Sequence, residues 1–182
     1  LFTAPQYNTW IELMYDQNQA DILEYATNTI KNGFPPGVIM IDDNWQKDYG
    51  AWEFKPDKFP DPGKMIDSLH NMGFKVMLWV CPFVSPDSRI YRQLKDKGFL
   101  LTNQQGEVAI IRWWNGASGV LDFTIPEARK WFHDQLHELQ AEYDVDGFKL
   151  DGGDTHFYRG VKAHKQVTPN RHTQLFGKIG LK

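Results

Sequence analysis

The chain has 182 residues, 41% of them hydrophobic, which is enough to bury one core and argues against disorder. Its net charge of −3 leaves no electrostatic footprint for nucleic acid or an anionic membrane surface, and its longest apolar run, Val76 to Val84, is far below the roughly 20 residues of a bilayer span. The single cysteine, Cys81, excludes an internal disulfide and any cysteine-based zinc site, and its apolar surroundings predict a buried thiol.

Tyr7 to Leu13 reads as a first strand. Asn18 is a candidate N-cap for a helix from Gln19 to about Lys31, with Ile22, Leu23, Ala26 and Ile30 at helical spacing and Gly33 and Pro35-Pro36 as the stop. Val38 to Ile41 is a continuous β-rich run, as expected of a strand buried on both faces, and it ends at Asp42-Asp43-Asn44-Trp45. An aromatic loop (Trp52, Phe54, Phe59) with three prolines leads to a second helix, Gly63 to Asn71, which turns Met65, Ile66 and Leu69 inward before Gly73.

The cycle repeats with a strand from Lys75 to Val80, a loop from Cys81 to Pro86, and a helix near Ser88 to Lys97 showing Ile90, Tyr91 and Leu94 on one side. Phe99 to Ile111 reads as an inserted excursion, with Asn103-Gln104-Gln105-Gly106 as the turn of a small hairpin. The longest helix is expected from Pro126 to about Tyr143, with Ala128, Phe132, Leu136 and Leu139 inward. A strand from Val145 to Leu150 follows and ends in Asp151-Gly152-Gly153-Asp154. From residue 155 the pattern fades into a polar, mildly basic tail, read as a loop cut from its packing partners, with a weak helical signal near Leu175 to Ile179.

Strands alternating with helices give the α/β class and a parallel sheet. Four such units, with polar residues collected after the strands, describe the first half of a (β/α)₈ TIM barrel, whose active sites gather at the C-terminal strand ends. A complete barrel takes roughly 250 residues, so residues 1–182 are expected to form one partial catalytic domain truncated after its fourth strand; a complete small doubly wound domain is the alternative. A half barrel leaves strand edges uncovered and predicts self-association. Leu1 in place of Met, with no basic apolar leader, leaves export and compartment unread.

Carboxylates stand after two expected strands, Asp42 and Asp43 after the second and Asp151 after the fourth. Glycosidic cleavage with retention needs one carboxylate to attack the anomeric carbon and a second acid about 5 to 5.5 Å away to protonate the leaving oxygen. Strand alternation puts Lys149 on the face of Asp151, where its ammonium would hold that carboxylate ionised and aimed. Aromatic residues make up 14% of the chain and include seven tryptophans, the residue type that stacks on the apolar faces of sugars.

Asp146-Gly147-Phe148-Lys149-Leu150-Asp151 resembles the nucleophile strand of glycoside hydrolase family 31. Phe59-Pro60-Asp61-Pro62 with Met65-Ile66, Gly73-Phe74-Lys75-Val76 leading to Trp79, and Leu121-Asp122-Phe123-Thr124 with Pro126-Glu127-Ala128 follow that family's order over residues 4 to 154. The resemblance implies a retaining, exo-acting α-glycosidase without metal or organic cofactor. It makes Asp151 the nucleophile, Lys149 its electrostatic partner, Asp42 a ligand of the sugar in subsite −1, and Trp79 with Trp113 or Trp114 the aromatic walls. Asp43 and Trp45, in the same strand-end turn, complete the expected substrate-binding set.

Two departures from the family pattern stand out. Gly152-Gly153-Asp154 replaces a bulkier residue and a Glu, and no residue of the chain matches the general acid/base, which the resemblance puts downstream. The chain alone is therefore expected to be inactive. An α-glucoside is the favoured substrate, with α-galactosides, α-xylosides, transglycosylation, or sugar binding without catalysis as alternatives. His133 and His137, at i and i+4 on the longest helix, have zinc-compatible spacing but flank its apolar stripe and read as solvated-face residues; His156, His164 and His172 read as part of a mobile tail.

Overall fold

The computed structural model describes residues 3–181, which form two compact units. The first comprises the chain through Lys47, Glu53–Val80 and His137–Lys149; the second comprises Asp48–Trp52, Cys81–Leu136 and the chain from Leu150.

The first unit is organised by a four-stranded sheet. In chain order the elements are β1 (Gln6–Asn8), α1 (Thr9–Glu12), α2 (Gln19–Lys31), β2 (Val38–Ile41), the hairpin strands β3 (Gln46–Asp48) and β4 (Ala51–Phe54), of which residues 48–52 belong to the second unit, α3 (Pro62–Asn71), β5 (Lys75–Val80), and β9 (Gly147–Leu150), which lies in the chain between elements of the second unit. The sheet order is β1-β2-β5-β9. β2 runs parallel to both neighbours, pairing Tyr7 with Ile39 and Ile39 with Val76. All four residues of β2 are buried, which accounts for its unbroken apolar sequence. The helices start where their caps allow: Asn18 accepts from the Asp21 amide at 3.0 Å, and Asp61 accepts from the Lys64 amide at 3.0 Å with Pro62 in the first turn. α3 buries Met65, Ile66 and Leu69 as expected. α2 buries Ile22 and Ala26 but presents Thr29 rather than Ile30 to the interior; Ile30 is exposed.

Two local readings are corrected in this unit. The first strand stops at Asn8 because the Asn8 side chain accepts from the Trp10 amide at 2.8 Å and turns the following residues into α1. The aromatic loop after β2 is the β3–β4 hairpin, and its rings form a cluster in which Phe54 lies 4.7 Å from Trp45, 5.2 Å from Phe59 and 5.3 Å from Tyr143.

In the second unit, β6 (Phe83–Val84), β7 (Ile111–Trp113) and β8 (Gly116–Val120) form an antiparallel sheet in the order β6-β8-β7, accompanied by α4 (Arg89–Asp96), α5 (Pro126–Tyr143, whose last turns belong to the first unit) and α6 (Pro169–Gly177). The expected small hairpin is present, with the Asn103 amide bonded to Glu107 O at 2.8 Å and Thr102 bridged to Val108. The β7–β8 hairpin was not legible in the sequence, because Gly116-Ala117-Ser118-Gly119 carries little β propensity and is held by partners on either side. Ala128, Phe132 and Leu136 of α5 are buried, and Phe132 packs edge-on to Phe123 at 5.6 Å.

The weak helical signal near Leu175 to Ile179 falls at the end of α6 and in the 3₁₀ turn after it, while His172, read as part of a mobile tail, is a buried residue. Thr155–Tyr158 is a 3₁₀ turn, α6 is capped by Thr168, and Phe157, Tyr158, His172 and Phe176 are all buried. Lys162 exchanges both backbone hydrogen bonds with Thr102, at 2.7 and 3.0 Å. Thr102 lies 60 residues from Lys162 in sequence, so no local pattern announces the pairing.

Candidate active site

The turn after β2 is the most constrained polar segment of the first unit. Asp42 and Asp43 are 4% and 3% exposed. Their backbone is fastened by two side chains from the β1–α2 connection: Thr9 Oγ1 accepts from the Asp42 amide at 3.0 Å, and Gln17 Nε2 donates to both Asp42 O and Asp43 O at 2.5 Å. Thr9 and Gln17 bond each other at 2.6 Å and are completely buried. The Asp42 carboxylate accepts from the Asp43 amide at 2.8 Å through Oδ1 and from Lys149 Nζ at 2.9 Å through Oδ2. Asp43 Oδ1 accepts from Gln46 Nε2 at 3.1 Å.

Lys149 thus extends from β9 to the carboxylate that follows β2, across the intervening β5. Two strand spacings are roughly 9 to 10 Å, a distance covered by the lysine stem, the aspartate side chain and the 2.9 Å hydrogen bond together. The ion pair has a side-chain exposure of 34% on the lysine and 6% on the aspartate. Alternation fixes the face that Lys149 occupies; the contact of its ammonium with the Asp42 carboxylate is one that the sequence pattern does not announce.

Trp45 and Trp79 are 0% and 1% exposed, with Trp45 Nε1 donating to Trp79 O at 2.8 Å. In this arrangement they brace the strand ends. At the opposite end of β9, Asp146 accepts from Lys75 Nζ at 2.7 Å, His70 Nε2 at 2.8 Å and the Val76 amide at 2.8 Å. Partial burial raises its carboxyl, and these three hydrogen bonds outweigh that effect and hold it below the ordinary carboxylate range.

In the second unit, Asp151 is half-buried and its Oδ1 accepts from the Gly152 amide at 2.8 Å. The two glycines that follow are imposed by neighbours. Gly152 has φ +69, and a Cβ there would meet the Phe83 ring at 2.8 Å; a Cβ on Gly153 would lie 2.3 Å from Phe176 Cδ1. The departure from the family pattern at these positions is therefore compensated by rings from β6 and α6, which fill the space that larger residues would take.

Phe83 stacks on Trp113 at 4.1 Å and 18°, and Tyr49 meets Trp113 edge-on at 4.7 Å. Trp114 is backed by Trp113 at 5.0 Å and by Phe157 at 6.0 Å, and is 53% exposed, whereas Trp113 is 9% exposed. Of the four tryptophans in the expected substrate-binding set, Trp114 is the one that offers a ring face to solvent.

A buried polar knot was missed by the sequence reading. Asp122, 1% exposed, accepts from the Thr124 amide at 2.8 Å, the Thr124 hydroxyl at 2.7 Å and the His164 amide at 2.6 Å. His172 Nε2 accepts from the Phe123 amide at 3.2 Å and lies 3.5 Å from the Asp122 carboxylate. Burial raises the Asp122 carboxyl, while His172 and the hydrogen bonds from His164 and Thr124 bring it below its ordinary value. The Asp-Phe-Thr spacing, which suits an Asx-turn, was the signal available for Asp122; none pointed to His172. His133 and His137 are exposed on α5 as expected, and no group of three or more metal-ligating side chains occurs among the described residues. No helix among them is long and apolar enough to cross a membrane.

Residues 5–177 match the sequence profile of the glycosyl hydrolases family 31 TIM-barrel domain. Among curated proteins, the chain is 35% identical to the myogenesis-regulating glycosidase of Mus musculus, covering 96% of this chain and 25% of that protein. It is 31% identical to the alpha-xylosidase XylQ of Lactiplantibacillus pentosus, over 95% of this chain and 23% of that protein. Among solved structures, the family 31 alpha-xylosidase from a soil metagenome, complexed with xylose, superposes with a TM-score of 0.83 at 25% identity, covering 96% of this chain and 26% of that one. The chain thus spans about a quarter of the length of these relatives.

Proposed function

From the premise that this chain belongs to glycosyl hydrolase family 31, we propose that it is the first four βα units of the catalytic barrel of a retaining, exo-acting α-glycosidase. The observation that carries this reading is Asp151 directly after β9 of the parallel sheet, in a chain of this family. Asp151 attacks the anomeric carbon of a terminal α-linked sugar, forming a β-linked glycosyl ester as the leaving oxygen is protonated, and water then releases the sugar.

Asp42, held by Lys149 and fastened through Thr9 and Gln17, accepts hydrogen bonds from hydroxyls of that sugar, and Asp43 stiffens the turn. Trp114 supplies a stacking face, while Trp113, Trp45 and Trp79 support the walls. The general acid/base belongs to a later loop of the barrel, so the four units alone do not turn over substrate. The chemistry uses no metal or organic cofactor.

An α-glucoside is the first substrate to test. The α-xyloside reading is favoured by two relatives named as α-xylosidases, and the two sugars differ by one hydroxymethyl group. Incubating the full-length protein with 5-fluoro-glycosyl fluorides of both series and mapping the adduct by mass spectrometry tests the proposal. An adduct on the Asp151 peptide is the expected result, and the faster-reacting series names the sugar. Hydrolysis of α-glycosides with the label on another residue overturns the assignment.

A further inference from the structure

The Asp151 turn is braced from α6. Thr173 Oγ1 donates to Gly153 O at 2.8 Å, two residues beyond Asp151. Three residues along the same helix, Phe176 occupies the space over Gly153 that any side chain there would need. The residue before Thr173 is His172, which ties the helix to the Asp122–Phe123 turn through the Phe123 amide. Phe176 also packs 5.0 Å from Phe123 and 6.1 Å from Phe132, so the helix is anchored in the core on the side that bears Gly153.

Without such a brace, Asp151-Gly152-Gly153 would be the most pliable tripeptide in the chain, since two consecutive glycines have the widest choice of backbone conformations. A nucleophile has the opposite requirement, because displacement by about 1 Å from the attack geometry can cost about a hundredfold in rate.

We propose that Thr173 is a positioning residue for Asp151: α6, anchored through His172 and Phe176, holds the glycine turn by the Thr173–Gly153 hydrogen bond and thereby fixes the nucleophile. This rests on the reading of Asp151 as nucleophile. The hydrogen bond contacts no substrate, so its loss affects the attack step and leaves sugar binding unchanged.

The test compares Thr173→Val, which keeps the shape and removes the donor, with Thr173→Ser, which keeps the donor, in the full-length protein. The rate of Asp151 labelling by the 5-fluoro-glycosyl fluoride is measured together with kcat and KM on an aryl α-glycoside. Thr173→Val is expected to lower the labelling rate and kcat about fivefold, as one hydrogen bond allows, with KM within about twofold, and Thr173→Ser is expected to restore both. Phe176→Leu, which withdraws the ring from Gly153, reads the same quantity should the valine variant fail to fold. Equal labelling rates in wild type and Thr173→Val, or an equal loss in Thr173→Ser, overturn the positioning role and leave the nucleophile standing. Absence of label on Asp151 in the wild type removes both.

Discussion

The two units solve the problem of holding a strand-end carboxylate in different ways. In the first, Asp42 follows β2, which is apolar and buried throughout, and its turn is fastened by Thr9 and Gln17, residues 33 and 25 positions away in sequence. In the second, Asp151 leads into two glycines, and what fixes the turn is borrowed from distant elements: a ring from β6, a ring and a hydroxyl from α6, and beneath α6 the buried knot of Asp122 and His172. The first turn is held by polar side chains bonded to its backbone and carboxylates, the second by rings packed against its glycines and a single hydroxyl.

The largest expected effect separates the two acids by chemistry. In the full-length protein, Asp151→Ala should lower turnover about a thousandfold or more, as removal of a covalent nucleophile does, whereas Asp42→Asn should act mainly through KM; steady-state kinetics on an aryl α-glycoside distinguishes them. Equal effects of the two variants on kcat would erase the difference between the units.

Next comes overpacking in the second unit. Gly153→Ala places a methyl group 2.3 Å from a ring carbon of Phe176 and should destabilise by about 3 kcal/mol, with Phe176→Leu restoring part of it; denaturant melts of the single and double variants measure the coupling. In the first unit, Lys149→Met leaves the Asp42 carboxylate, 6% exposed, without its cation. Breaking a fully buried pair costs about 3 to 5 kcal/mol; the partly exposed lysine reduces this to about 2, again readable by denaturant melts.

Acid titration sharpens the comparison further. Asp122 and Asp146 both have folded values held below the ordinary one, so each contributes stability that is complete above the usual carboxylate range and is lost as pH falls through the folded value. Asp122→Asn should therefore be less stable than wild type at neutral pH and lose less on acidification below about pH 4. Asp146→Asn should show the same sign with smaller amplitude, because its side chain is 21% exposed against 2% for Asp122. The smallest effect is at a cap: Asn18→Ala should cost about 1 kcal/mol in thermal melts and leave kinetics unchanged.

What the sequence by itself determined about this protein is the part governed by short-range periodicity and capping. The bounds of α2, β2, β5 and α5 and the inward faces of α3 and α5 follow from local repeats and caps, because helix and strand periodicities and N-caps act over one or two turns, and the α/β class and the family follow from the order in which such local motifs succeed one another. The strand-end positions of Asp42 and Asp151 belong to the same layer of information. Tertiary structure alone decided that Lys149 meets Asp42, that Trp79 is enclosed while Trp114 faces solvent, that Thr9 becomes helical in service of the Asp42 turn, and that His172 is a core residue. Each of these depends on which polar group finds a partner dozens of residues away, and buried hydrogen bonds are satisfied by whatever donor the fold delivers, leaving no spacing in the chain to read.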